Sequence, residues 1–394
     1  MTSTAFGKFG LAGAVCALLQ WTTLADPLDT WHQRNSLSQT NPLNSITYAK
    51  GLFVAVGEGA IVTSPDGIEW TRRDSGTTPG LGTVVYGRGI FLASDAYSLF
   101  RSTDGTNWTS SAWSGQEKIE GLDFANDRFF VLSHDLRVNG DRAIIFTSTN
   151  TIDWTRFRTS QSGAASAVTY GNGLYVAVGT GFGTPSVNRI PLVLTSQDAI
   201  TWTSLDFDSP RYWNRMFADV VYGGNMFLVA VEFYGGGGAF ALSPDGSKWT
   251  FVTPGLIDVT SLAFGDGILT VVGSVGTLAT STDGLHWTTR DPGTKLWLSG
   301  VAYGQNTFVV VGNEGLIFQS DPIVTLGLTR GLSTELSLTG PPGRTCEIHA
   351  VDQLLATNNW QTLGMVTLTN SAVSWTDPES TNKPQRFYRA VLQP

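Results

Sequence analysis

From Leu43 to Ser320 the chain alternates short apolar runs with breaks rich in Gly and Asp, and the order of the runs repeats. Each unit starts with a stretch that ends in an aromatic and a small residue: SITYAKG, TVVYGRG, SAVTYGNG, DVVYGGN, SLAFGDG, SGVAYGQN. A second run such as LFVAVG, LYVAVG or TFVVVG follows, then a third such as AIVTS, LFRS, LVLTS, TLATS or LIFQS. Runs of this length bounded by turn residues read as strands. A Ser-x-Asp-Gly phrase closes the third run and a Trp opens a fourth. Trp31, Trp70, Trp108, Trp154, Trp202, Trp249 and Trp287 recur about 38 to 48 residues apart, a period that belongs to repeat architectures. Four strands per unit in seven units predict an all-β fold, a seven-bladed β-propeller. The repeats open on a lone fourth strand around Trp31 (TWHQRNS) and end on first to third strands around residues 300–320. An N-terminal strand that closes the last blade is therefore expected, which removes an open strand edge.

The Asp-Gly phrase reads as turn construction. Asp66, Asp104, Asp198, Asp245 and Asp283 are placed to accept main-chain N–H groups further along the turn, and Gly67, Gly105, Gly246 and Gly284 take positive φ at little steric cost. The third copy has Asn150, and the seventh decays to SDP at residues 320–322. Trp70, Trp108, Trp202, Trp249 and Trp287 are expected to bury large rings between neighbouring sheets. This pattern, over about residues 28 to 323, resembles the Asp-box or BNR repeats of sialidase-like propellers, and is similar to photosystem II stability and assembly factor-like propellers. The sialidase form carries one more residue between Asp and Gly, so this is a shortened variant. The resemblance implies a fold, and an activity much more weakly.

Both flanks differ in character. Residues 1–25 carry Lys8 and the apolar run LAGAVCALLQWTTLA, ending in Ala25, and read as a secretory signal peptide. A secreted, periplasmic or cell-surface bacterial protein is expected, with the propeller at residues 26–322. After cleavage Cys346 remains alone, so no intramolecular disulfide is expected. Beyond Asp321 the period stops, and alternating runs such as TELSLTG, RTCEIHAV and QRFYRAVL predict a small β-sandwich at residues 323–394. That segment resembles the immunoglobulin-like or fibronectin-like C-terminal modules of secreted Verrucomicrobia and Planctomycetes proteins. Arg386, Tyr388 and Arg389 are either a contact patch or, the simpler reading, the two faces of one strand.

Composition narrows the function classes. Only 14% of the 394 residues are charged, Gly numbers 45 and the net charge is -8, which argues against a nucleic-acid partner. The four His are scattered, and calcium-loop, nucleophile-elbow and P-loop motifs are missing, so neither metal nor cofactor is implied. Glu58 and Glu314 stand in what read as equivalent EG turns of the first and seventh units; they are turn residues before they are an acid and nucleophile pair. The NRIP stretch holding Arg189 resembles the Arg-Ile-Pro signature of sialidases, but it falls in the fourth unit rather than ahead of the repeats.

The informative departure is where units three to five grow. Their extra residues, in SHDLRVNGDRA, GTGFGTPSVNRIP and EFYGGGGA, fall between second and third strands, and unit five also lengthens the loop DFDSPRYWNRMFAD ahead of its first strand. These loops are expected to form one wall at the channel mouth, carrying His134, Asp135, Arg137, Arg142, Arg189, Arg211, Tyr212, Trp213, Arg215 and Tyr234. Arginines with aromatics suit a glycan or a protein surface. The expectation is a monomeric, non-catalytic binding or scaffold protein with no membrane span after signal cleavage. A sialidase-like glycoside hydrolase and a purely structural cell-surface protein are the alternatives.

Overall fold

The structure, a computed structural model, describes residues 27–34, 41–73, 80–115, 117–135, 142–182, 189–207, 214–233, 237–256, 258–323, 325–330, 334–340, 345–352, 360–369, 372–382 and 386–392. The signal-peptide expectation lies outside them. The fold is all-β, and the chain forms two compact units, one of residues 31–304 and 308–319 and the other built mainly on residues 320–394. Among the described residues no helix is long and apolar enough to cross a membrane.

In the larger unit each repeat becomes an antiparallel meander. β1 (Trp31–Gln33) is followed by a sheet of β2 (Leu43–Ala49), β3 (Leu52–Gly57), β4 (Ala60–Ser64) and β5 (Thr71–Arg73). The next sheet contains β6 (Thr83–Gly87), β7 (Ile90–Ser94), β8 (Ser98–Ser102) and β9 (Thr109–Ala112). β10 (Ile119–Ala125), β11 (Arg128–Asp135), β12 (Arg142–Ser148), β13 (Thr155–Gly171), β14 (Leu174–Phe182), β15 (Arg189–Ser196) and β16 (Thr203–Ser204) form one seven-stranded sheet. Two further meanders follow: β17 (Arg215–Gly223), β18 (Met226–Phe233), β19 (Gly238–Ser243) and β20 (Thr250–Val252), then β21 (Val259–Gly265), β22 (Ile268–Gly273), β23 (Leu278–Ser281) and β24 (Thr288–Thr289). β25 (Leu298–Gly304), β26 (Thr307–Gly312) and β27 (Ile317–Ser320) pair in order, and β1 adds beside β27.

The seven-stranded sheet departs from the repeat reading, which places a loop between every fourth strand and the next first strand. β13 is instead continuous: its first half pairs with β12 and its second half, from Gly163, with β14. Gly163 sits at φ 154°, and a bulge between Ala165 and Ala167 turns the strand from one meander into the next.

Why the second and third runs are apolar without alternation is visible in the burial. β3 and β4 are buried at nearly every position because sheets pack on both of their faces. Phe53, Ala55 and Val62 share a core cluster with Val309, Val311 and Ile317, so the first meander packs on the last. First strands also meet in sequence. A Cβ on Gly87 would overlap the ring of Phe124, on Gly171 that of Tyr222, on Gly223 that of Phe264, on Gly265 that of Tyr303, and on Gly304 that of Tyr48. The aromatic-and-small pair ending each first run is thus a seam residue set: the ring of one sheet lies over the small residue of the sheet before it.

The smaller unit has two three-stranded sheets. β28 (Thr325–Arg330), β29 (Thr334–Thr339) and β32 (Ala372–Asp377) form one; β31 (Gln361–Thr367), β30 (Thr345–Val351) and β33 (Phe387–Leu392) the other. Leu336, Leu338, Cys346, Ile348, Val366 and Tyr388 share its core. Arg386 is buried and its Nη1 lies 3.1 Å from Asp377 Oδ2, while the Tyr388 hydroxyl donates to the same carboxylate at 2.6 Å. These two residues are internal, not a contact patch.

Candidate functional site

The Asp-Gly turns resolve into one geometry. Gly246 N donates to Ser243 Oγ at 2.9 Å, and Ser247 N and Lys248 N donate to Asp245 Oδ1 at 2.9 and 3.0 Å. The same bonds recur at Asp66, Asp104, Asp198 and Asp283, and Asn150 reproduces them with its amide oxygen. Gly67, Gly105, Gly246 and Gly284 have φ of 78°, 76°, 72° and 72°; Thr151 and Ala199 occupy that position at 62°. Trp70, Trp108 and Trp287 donate Nε1 to the turn glycine's carbonyl at 3.0 to 3.1 Å. Trp202 and Trp249 bury Nε1 without a partner and contribute packing. Bonds from the Lys248 and Ser247 amides hold the Asp245 carboxyl down at about 2. At Asp104 and Asp198 the Asn107 and Thr201 amides respectively lead the same downward pull. The turns are saturated internally, which leaves them little chemistry to offer a ligand.

At the other end of the strands the hairpins of the third and fourth units are long. β11 and β12 stay paired out to Asp135 and Arg142, and β14 and β15 out to Phe182 and Arg189. The Arg189 guanidinium lies 5.2 Å from the Phe182 ring centre, and that of Arg215 lies 4.5 Å from Phe251 and 5.4 Å from Phe233. Asn214 N donates to Arg189 O at 2.6 Å, so the two arginines' segments adjoin. His134 sits elsewhere, its Nδ1 3.4 Å from Glu120 Oε1. Arg137, Arg211, Tyr212, Trp213 and Tyr234 lie outside the described residues.

Glu58 and Glu314 are not equivalent, which corrects the sequence reading. Glu58 stands with Gly59 in a two-residue turn between the paired Gly57 and Ala60, and its N–H donates to Pro42 O at 3.0 Å. Glu314 is the middle of a three-residue 3-10 turn, Asn313–Gly315, at φ 56°. One extra residue separates the two, and Val275 is the true counterpart of Glu314, at φ 56° in Ser274–Gly276.

One feature lies outside the motifs. A cavity of about 490 Å³ is lined by residues from β2, β6, β10, β13, β17, β21 and β25 together. Among the described residues its charged lining is Glu120, Asp123 and Asp219; the other described lining residues are apolar, glycine, amide or hydroxyl-bearing. Both aspartates join successive meanders: within the seven-stranded sheet Val168 N donates to Asp123 Oδ2 at 2.7 Å, and between two sheets Leu262 N donates to Asp219 Oδ2 at 2.8 Å. Neutral side chains make the same kind of link elsewhere, Asn44 Nδ2 to Leu81 O at 2.8 Å and Thr260 Oγ1 to Leu298 O at 3.0 Å. Burial pushes Asp219 up to about 6 against the Leu262, Val220 and Ser261 hydrogen bonds. Burial, then the charge of Asp219, raises Asp123 well above the usual carboxylate range against its one amide bond. Both keep some contact with the lumen, so this is confinement inside the protein rather than removal from all water. The signal was present in the sequence: where Asp123 stands, the other first runs have Thr47, Val85, Thr169, Val221, Ala263 and Ala302.

No protein-family model and no curated protein matches the chain. Among solved structures it is similar to YCF48 bound to D1 peptide, with a TM-score of 0.56, 15% identity, 76% of this chain and 98% of that one covered. It is also similar to a catalytically inactive virginiamycin B lyase from Staphylococcus aureus with quinupristin, with a TM-score of 0.58, 10% identity, and 75% and 99% coverage. At these identities the likeness is one of fold, and with the all-strand content it makes the chain a β-propeller protein.

Proposed function

We propose that the chain is a secreted, non-catalytic binding protein: seven four-stranded blades of the Asp-box type closed into a ring by β1, a small immunoglobulin-like module, and a protein segment docked on the mouth face at the third to fifth blades. Ring closure draws support from Tyr48 over Gly304 and from Gln319, whose side chain accepts from Arg34 Nε at 2.9 Å and donates to Asp66 O at 2.7 Å. The observation that carries the binding reading is the breaking of repeat symmetry by long paired hairpins at β11–β12 and β14–β15, beside arginines laid on aromatic rings. A rigid aromatic platform with a weakly hydrated guanidinium is the kind of surface that anchors protein contacts. The peptide in the YCF48 structure makes a protein segment the favoured occupant over a glycan. The hydrolase alternative rests on Arg189, whose guanidinium is engaged with Phe182.

The test is a parallel screen of the purified chain on a random peptide array and a glycan array. A peptide ligand is expected, weakened at least tenfold by Arg215→Ala and unaffected by Ile152→Ser on the opposite, turn-bearing side. Binding to glycans alone, or peptide binding lost with Ile152→Ser and indifferent to Arg215→Ala and to shortening of residues 136–141, overturns the proposal.

A further inference from the structure

The cavity holds three carboxylates and, among its described lining residues, no Lys, Arg or His. Glu120 is paired with Lys118 Nζ at 3.2 Å, and His134 Nδ1 lies 3.4 Å from its Oε1. Asp123 on β10 and Asp219 on β17 are met by N–H and hydroxyl groups only. The other titratable residue of the lining is Tyr86 of β6, whose ring packs 4.7 Å from that of Phe91; β2, β13, β21 and β25 contribute hydroxyl, amide, glycine and apolar residues. On neighbouring elements the charges are turned elsewhere: Arg156 of β13 pairs with Glu117, Arg189 of β15 lies on Phe182, and Glu232 of β18 faces Asp258. Two carboxylates thus line one confined space without a counter-charge among its described lining residues, at the points where the first strands of successive meanders are joined.

We propose that the channel is a proton-linked latch: uptake of a proton by each of Asp123 and Asp219 removes the uncompensated charge confined where β10 meets β13 and β17 meets β21, so that the fold is firmest in mildly acidic surroundings. The proton comes from solvent, an O–H bond forms on a carboxylate oxygen, and the main-chain N–H donors keep the remaining acceptor positions. Geometry carries this, since like charges confined together disfavour joint ionisation. The direction of the pH effect follows from linkage. Both groups hold protons more tightly folded than unfolded, so the stability they confer is fully present below about pH 4 and is lost as pH rises through about 6 for Asp219 and through the raised folded-state range of Asp123.

Urea unfolding of the full chain between pH 4.5 and 8.5 tests this with wild type, Asp123→Asn, Asp219→Asn and the double variant, Glu120→Gln serving as control. The wild-type folding constant is expected to fall ten- to about a hundredfold between pH 5 and 8, since each pKa unit is a factor of ten. The Asn variants flatten that slope, match wild type near pH 5 and exceed it at pH 8, while Glu120→Gln keeps the wild-type slope. A flat wild-type profile overturns the proposal, as do Asn variants that are weaker at every pH. Should those variants misfold, carboxyl-labelled NMR of wild type decides: titration of Asp123 and Asp219 in the ordinary range near 4 overturns it. Recovery of wild-type stability at pH 8 by millimolar metal ions or polyamine, lost in the Asn variants, makes the channel a cation site and also overturns it.

Discussion

At the outer turns Asp245 and Asp104 accept two main-chain amides each and are held at or below the bottom of the carboxylate range; in the channel Asp219 accepts Val220 and Leu262 amides at similar distances and is pushed up to about 6. The residue type, the acceptor role and the bond lengths are shared. What differs is the surrounding medium. The turn aspartates stand at the surface, where hydrogen bonds to the ionised form outweigh desolvation; the channel aspartates line a cavity among seven first strands, where burial, joined at Asp123 by the charge of Asp219, outweighs the same kind of bonds. A main-chain amide contact therefore says nothing about charge state until burial is known. The comparison also separates frame from departure: turn aspartates recur in every good copy, whereas the channel pair occupies first-strand positions filled elsewhere by Thr, Val, Ala, Ser or Gly.

The largest expected effect tests the inner seam itself. Gly304→Val places a branched side chain into the ring of Tyr48, where even a Cβ overlaps. A cost of about 3 kcal/mol in urea unfolding is expected, the upper part of the range for overpacked cores. Gly304→Ala should cost about 1 kcal/mol, because Ala49 and Tyr86 pack in one cluster at the corresponding seam and show that a methyl is accommodated after adjustment. A Gly304→Val protein as stable as wild type contradicts a packed seam between last and first sheets.

These seams were half legible. The aromatic-and-small ending was plain in the runs, yet a run viewed alone does not say that its ring covers the small residue of the sheet before it. That relation is set by tertiary packing. The four-run period, the turn aspartates and the Trp positions were readable because each is a local requirement: N–H acceptors, positive φ, a large ring at a fixed offset. The continuity of β13 was not, since a bulge and one glycine at Gly163 replace a loop with no strong turn signal lost. The extra length of the third and fourth units is visible in the sequence, while the pairing of β11 with β12 out to Asp135 and Arg142 and of β14 with β15 out to Phe182 and Arg189 depends on cross-strand partners. The channel pair was overlooked because each aspartate looks like an ordinary polar residue in an alternating strand until seven first strands converge.

A middle-sized effect sharpens the outer half of the comparison. Asp245→Ala strands the amides of Ser247 and Lys248 and frees the Ser243 hydroxyl, and should cost about 1 to 2 kcal/mol. Asp245→Asn should cost less than about 0.5 kcal/mol, since Asn150 makes the same bonds to Ile152 N and Asp153 N at 2.9 Å in the third copy. The pH response is opposite in sign to the channel's. With its folded value held near 2, Asp245 contributes fully above about pH 4 and loses that contribution as pH falls through about 2. Urea curves of the Ala variant and wild type at pH 6 and pH 2.5 should therefore converge on acidification. Divergence there would assign the turn's strength to packing rather than to its carboxylate.

The smallest effect concerns the turn position where glycine is absent. Ala199 has φ 62°, a conformation that costs an L-residue about 1 to 2 kcal/mol relative to glycine. Against that, its methyl is buried in a cluster with Phe130 and Leu132, worth about 0.8 kcal/mol, and glycine would add about 0.5 to 1 kcal/mol of unfolded-chain entropy. The contributions nearly cancel, so Ala199→Gly should shift unfolding by no more than about 0.5 kcal/mol in either direction. The reciprocal change is not neutral. At Gly246 an added Cβ would lie 2.8 Å from Leu174 Cδ2 and also meets positive φ, so Gly246→Ala combines strain with crowding and should cost about 1 to 3 kcal/mol. If both substitutions prove equally costly, the turn position is governed by what the preceding sheet packs against it; if Ala199→Gly stabilises by more than about 1 kcal/mol, backbone strain governs it and packing is secondary.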